Sequence, residues 1–258
     1  MEFQVAAATD IGRVRKHNED SYVVGERVWA VADGMGGQAA GATASRIAAQ
    51  CLASYDKTGE INQTQIVALV DQINAKILAY SAKHPKTLGM GTTLAGMALM
   101  RLGGGYHWLI FNVGDSRVYR FTGGILLQET TDHSEVQELV NRGEIRRSEA
   151  RTHPGRNILT RCLGTPHPPT VGTRVVPCQP GDRMLICSDG LTSEVDDDKI
   201  TIVLRTAVDS REAVDTLIGA ALENGGRDNI SIIVVGIDKE QEGLMEDTLP
   251  VMAMVDIS

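Results

Sequence analysis

The chain has 258 residues, 42% of them hydrophobic and 22% charged, and a formal net charge of −8. These are the proportions of a soluble globular protein, and the acidic balance argues against a nucleic-acid binder, which would present a basic face. A phosphorylated partner is still admissible, because bound cations reverse the local field at an acidic site.

The N-terminal stretch MEFQVAAATD lacks the basic start and apolar core of a signal peptide. No apolar run reaches the roughly 18 residues of a membrane span, so a cytoplasmic protein with no membrane partner is expected. FQVAAATD and VWAVADG read as strands, and the small-residue run Ala39–Leu52 as a helix. Ile66, Leu69, Val70, Ile73, Ile77 and Tyr80 share one face at helical spacing, with Pro85 just beyond, which predicts a second helix. From Thr93 to Leu127, LAGMALMR, YHWLIFNVGD, RVYRFT and ILLQET are separated by short glycine-containing breaks. Links that short join antiparallel strands rather than βαβ crossovers.

A polar, arginine-rich stretch from Glu135 to Pro169 has the composition of a surface excursion. Strands resume at TRVVP and RMLICSDG, helices are expected over Asp196–Ala207 and Arg211–Glu223, and NISIIVVGI closes the pattern as a strand. With no repeat and no linker, one α/β sandwich domain over residues 1–237 is the simplest account. The tail, 238–258, is acidic and then apolar, with no assigned role. Cys51, Cys162, Cys178 and Cys187 show neither a CxxC pair nor zinc spacing, and are read as reduced, mostly buried thiols.

VWAVADGMGGQAAGATAS contains a strand, a glycine-rich turn and the start of a helix, the parts of a phosphate cradle. An aspartate at its mouth would repel a directly bound phosphate, and the Lys-Ser/Thr of a nucleotide P-loop is missing. The same arrangement recurs: Asp33, Asp115 and Asp189 each follow an apolar run, and Asp228 just precedes one. Any one of them, taken alone, has the ordinary reading of a turn aspartate capping local backbone. Four converging carboxylates could share a site only with cations, and hard oxygen donors select Mg²⁺ or Mn²⁺. The glycines would let a carbonyl such as that of Gly34 face a metal. Arg15, in TDIGRVRKHNED, is the natural bidentate fork for a phosphate, although arginine in a basic run is more often a solvated surface residue.

Taken in order, RKHNED, VADGMGG, GTTL, VGDSR, LTRCLG, CSDGL and GRDNIS resemble the signature motifs of the bacterial metal-dependent Ser/Thr protein phosphatases, the PP2C or PPM family, over roughly residues 3–237. The resemblance implies an α+β fold, an αββα sandwich of two mainly antiparallel sheets flanked by helices, with two core Mn²⁺ or Mg²⁺ ions at one edge and a third, weaker one beside them. Asp33 resembles the carboxylate that bridges the metals, and Gly34 the carbonyl ligand. Asp189 and Asp228 resemble further ligands, and Glu19 and Asp20 acidic positions acting on the metals or their waters. Asp115 with Asp189 resembles an additional weaker site, Arg15 the substrate phosphate binder, and residues 142–163 the flap beside the site. It further implies phosphoprotein substrates, a cognate Ser/Thr kinase and a monomer.

One position departs from the eukaryotic pattern: Met35 stands where those enzymes have a histidine proposed as general acid. His17, His133 and His153 are the candidate replacements, although such histidines are more often surface or structural; His153 is preferred for its place in the flap, and a metal-bound water is the alternative donor. A cysteine-based phosphatase is disfavoured, because no cysteine has an arginine six positions later. The rival readings are an inactive metal-binding module that recognises phosphoproteins and a Rossmann-type nucleotide binder, the latter opposed by the antiparallel strands.

Overall fold

The computed structural model describes residues 2–37, 39–57 and 61–237. Two antiparallel sheets face each other. One has the order β1 (Phe3–Asp10), β11 (Ile230–Ile237), β10 (Arg183–Cys187), β7 (Arg117–Thr122), β8 (Ile125–Gln128). The other runs β2 (Asp20–Val24), β3 (Val28–Met35), β5 (Leu94–Leu102), β6 (Gly105–Val113), β9 (Gly172–Pro177), with the short β4 (Gly91–Thr92) on the end of β3. Helices α1 (Ala39–Tyr55) and α2 (Gln63–Lys83) cover the second sheet; α6 (Asp197–Thr206) and α7 (Ser210–Glu223) cover the first. Short helices α3 (Glu135–Asn141) and α4 (Arg147–Ala150) lie between β8 and β9, and α5 (Asp189–Thr192) follows β10.

Each layer boundary follows from residue pattern. On β3, Val28, Ala30 and Ala32 pack toward α1, while Trp29 and Val31 pack toward the other sheet, as a period of two requires. On α2 the predicted face is buried at Ile66, Leu69, Val70, Ile73 and Ile77, each contributing roughly 1.5–3 kcal/mol. Asn62 starts that helix by accepting the Gln65 N–H at 3.0 Å, which satisfies one of its otherwise unpaired donors. Truncating Ile73 to Ala would cost about 2–5 kcal/mol. Between the sheets, the rings of Phe3, Trp29 and Trp108 meet with centroids 5.4–5.9 Å apart.

The expected strands and long helices are present, with three refinements. DSYVV forms β2, which was not expected from so short and mixed a segment. The polar excursion contains α3 and α4, and Ser134 caps α3 by accepting the Gln137 N–H. Asp33 lies within β3 rather than at its end, because Gly34 and Met35 pair with Thr92 and Gly91. All four cysteines are free, with Cys51 and Cys187 buried and the other two half-buried. The expectations for the 238–258 tail lie outside the described residues.

Candidate active site

At one end of the sandwich the space between the sheets turns from aromatic to polar. The two-residue period that aims Trp29 and Val31 at the facing sheet carries Asp33 to the same side. Its neighbours fix it by backbone. The Asp33 N–H donates to Thr93 Oγ1 at 3.0 Å, and its carbonyl accepts from Thr92 Oγ1 at 2.9 Å. Thr93 is in turn 2.7 Å from Ser116 Oγ, next to Asp115. Across the β2–β3 ladder Asp33 stands opposite Asp20, whose Oδ2 accepts from Ser188 Oγ at 2.9 Å. Ser188 precedes Asp189, the first residue of α5, so hydroxyls seat the strand ends that carry the acids.

Gly34 is required for a different reason. A Cβ there would lie 2.3 Å from the Gly41 carbonyl oxygen, and one on Gly41 would lie 2.7 Å from Gly34. The first turns of α1 therefore cross β3 backbone against backbone, which only glycine allows. The Gly34 N–H also donates to the Glu19 carbonyl at 3.2 Å, which holds the β2 entry against the glycine loop.

A cleft of about 540 Å³ opens over this end, lined by Arg15, Glu19, Asp33, Gly34, Asp115, Asp189 and Asp228 among others. Of the sequence-predicted metal and phosphate ligands only Asp20 stays off the lining, opposite Asp33 on β2. Arg15 reaches across to Asp228, its Nη2 donating to Oδ2 at 2.6 Å. Asn229 joins both sides of the cleft: its Oδ1 accepts the Glu19 N–H at 2.9 Å, and its Nδ2 donates to the Ile11 and His17 carbonyls. Its position in RDN was visible in the sequence; its clamping of the Arg15 loop was not.

The electrostatics are those of crowded acids. Burial, then the charges of Asp20, Asp189, Asp115 and Asp228, hold Asp33 well above the usual carboxylate range. Asp115 is raised likewise by burial and by Asp189. Burial raises Asp20 to about 7 and Asp189 to about 6, the latter also through the charge of Asp228. Burial raises Glu19 too. Arg15 is raised by its hydrogen bond to Asp228.

Glu19 Oε1, Asp20 Oδ1 and Asp189 Oδ1 are buried with no hydrogen-bond partner. An uncompensated buried carboxylate is costly, and the unused donors here are all hard oxygens, the set that suits Mg²⁺ or Mn²⁺. The residues present fit such ions. Among the described residues no three of these side chains close on one point as a finished cage, since Asp228 is turned to Arg15 and Asp20 to Ser188.

The histidines separate clearly. His17 lines the cleft together with Met35, whereas His133 and His153 do not. His133 Nδ1 accepts the Gly114 N–H at 3.1 Å, and burial lowers it to about 4, so its ring is neutral. His153 Nδ1 is taken by the Gly155 N–H. His153, preferred from the sequence as proton donor, is therefore off the cleft, and His17 is on it.

A sequence profile described as protein phosphatase 2C matches residues 13–218. The chain belongs to the protein phosphatase 2C family. The serine/threonine phosphatase stp of Listeria monocytogenes is 39% identical over 246 residues, spanning 91% of this chain and 96% of that protein. The crystal structure of the Mycobacterium tuberculosis serine/threonine phosphatase PstP/Ppp aligns with a TM-score of 0.85 at 37% identity, covering 92% of this chain and 99% of that one. The PstP catalytic domain in complex with two manganese ions aligns at 0.81 with the same identity and coverage. The paired antiparallel sheets and flanking helices are thus the family fold, and the chain is a protein serine/threonine phosphatase that uses Mn²⁺ or Mg²⁺.

Proposed function

We propose that Asp33, Gly34, Asp189 and Asp228, with Glu19 and Asp20 beside them, hold the two divalent cations of this phosphatase, and that Asp115 with Asp189 takes a third, weaker one. The observation that carries the assignment is the gathering of these acids on one cleft with three orphaned oxygens among them. When bound, two such ions supply a water activated at neutral pH and positive charge for an in-line displacement at phosphorus.

The chain's own groups do the rest. Arg15 binds the phosphoryl oxygens of a phosphoserine or phosphothreonine with its planar fork, exchanging Asp228 for substrate. Asp20 is a positioning residue: backed by Ser188, it faces Asp33 across the ladder. Asn229 holds Glu19 and the Arg15 loop in register. Met35 has no proton to give, so the imidazole of His17, on the cleft wall, protonates the leaving serine or threonine oxygen. Residues 142–163 act as the flap that borders the site, within a catalytic domain of residues 1–237.

The reading extends to a monomer in the cytoplasm that reverses a Ser/Thr kinase. Among the described residues no helix is long and apolar enough to cross a membrane. The direct experiment is phosphate release from a phosphothreonine peptide with added Mn²⁺ and then with EDTA. Release that needs Mn²⁺ and stops on chelation is expected; a folded protein that releases none at any metal concentration would leave an inactive phosphoprotein-binding module in its place.

A further inference from the structure

A second cavity of about 740 Å³ shares Asp115, Asn157, Asp189 and Asp228 with the catalytic cleft, so the two are continuous. One wall is the segment from Arg147 to Asn157; the other is the start of α6 with the turn before it. Five arginines line it, and three are already engaged. Arg117 is bound to Asp132 and Tyr119, Arg147 donates to Gln128 at 2.8 Å, and Arg227 pairs with Glu194 at 3.3 Å. The other two, Arg151 and Arg156, are exposed and, among the described residues, have no hydrogen bond or ion pair through their guanidiniums.

Of the facing acids Glu194 is paired with Arg227, Asp196 caps α6 through the Lys199 N–H, and Asp197 accepts from the Tyr119 hydroxyl. Among the described residues Asp198 is the acid of that wall with no such partner. Arg151 and Arg156 thus stand without an acid on one wall, opposite Asp196, Asp197 and Asp198, while Asp115, Asp189 and Asp228 of the lining belong to the proposed cation site. The groove opens directly off the cleft that would hold the phosphorylated residue, so residues flanking it can enter the groove.

We propose that Arg151 and Arg156 select phosphoprotein segments with acidic residues flanking the phosphoserine or phosphothreonine, whose carboxylates they bind in the second cavity. Guanidiniums match carboxylates bidentately, and two free forks on one wall favour an anionic chain over a neutral one. The proposal rests on the phosphatase reading above, with the phosphoresidue held at Arg15.

The test uses the whole chain with Mn²⁺ and paired phosphothreonine peptides, one with glutamates within three residues on both sides and one with glutamines there. The glutamate peptide should have the higher kcat/KM by about three- to tenfold, mostly through KM, the size two partly exposed ion pairs provide. The preference should shrink at high salt. In the Arg151→Gln/Arg156→Gln variant the ratio of the two peptides on the same enzyme should fall to near one, and Arg151→Glu/Arg156→Glu should favour a lysine-flanked peptide. Equal rates on the two peptides with the wild-type chain, or a preference unchanged in the double glutamine variant, would overturn the proposal. Failure to hydrolyse either peptide or para-nitrophenyl phosphate would instead remove the phosphatase reading, and this proposal with it.

Discussion

Glu129 and Asp132, just after β8, are buried acids that come with their cations. Glu129 has Arg120 at 2.8 Å and Arg174 at 3.0 Å, and Asp132 has Arg117 at 2.6 Å. The acids of the cleft are treated differently. Asp33, Asp20, Asp115 and Asp189 crowd together, and the guanidinium that lines their cleft, Arg15, pairs with Asp228 instead. Even the orphaned oxygens differ. Those of Glu129 and Asp182 lie 3.0 and 3.8 Å from an arginine nitrogen, whereas Glu19, Asp20 and Asp189 each keep one with no arginine on it. Buried charge is tolerated when its partner is built in. A cluster lacking that partner is where the proposed cations would bind.

The contrast breaks first at Asp33. Asp33→Asn should lower kcat/KM on a phosphothreonine peptide by at least about 10²- to 10³-fold, the range for losing one preorganised electrostatic group. It should also raise the melting temperature of the EDTA-treated protein near pH 8, because a repelling carboxylate is gone. Calorimetry and steady-state kinetics on one preparation read both. Glu129→Ala should do the reverse, destabilising by about 3 kcal/mol through stranded arginines while activity per folded molecule persists; denaturant unfolding measures it.

Next in size is a pH effect. Asp20 and Asp189 have folded values raised above their unfolded ones, to about 7 and about 6. The stability linked to them is complete below the unfolded value and is lost as pH rises through the folded one. Metal-free protein should therefore melt lower at pH 8 than at pH 5, and Mn²⁺ should recover more at pH 8. A flat profile with EDTA would mean the cluster is not strained. The smallest effect belongs to Arg15→Ala: a rise in KM of roughly tenfold for loss of a charge-assisted hydrogen bond at an exposed site, with kcat changed less.

Much of the cleft was legible because its acids sit beside apolar runs, and a strand end is where an aspartate breaks such a run. Gly34 was legible as a turn glycine, but its need is the approach of Gly41, nearby in sequence yet in contact only once α1 folds back over β3. Asp20 faces Asp33 only through the register of β2, a five-residue strand with too little pattern to read. The arginine partners of Glu129 and Asp132 come from β7 and β9, so no local spacing marks them. Likewise α3 is set by the Ser134 cap rather than by an apolar face. The choice of His17 over His153 needed the cleft itself.

The central claim is that the uncompensated acids are a cation site. Titrating Mn²⁺ into metal-free wild-type protein and into Asp33→Asn, followed by isothermal calorimetry, tests it without reference to turnover. Two equivalents of tight binding to wild type, with loss of at least one in the variant, is the predicted result. The same two equivalents bound with equal affinity by Asp33→Asn would contradict it.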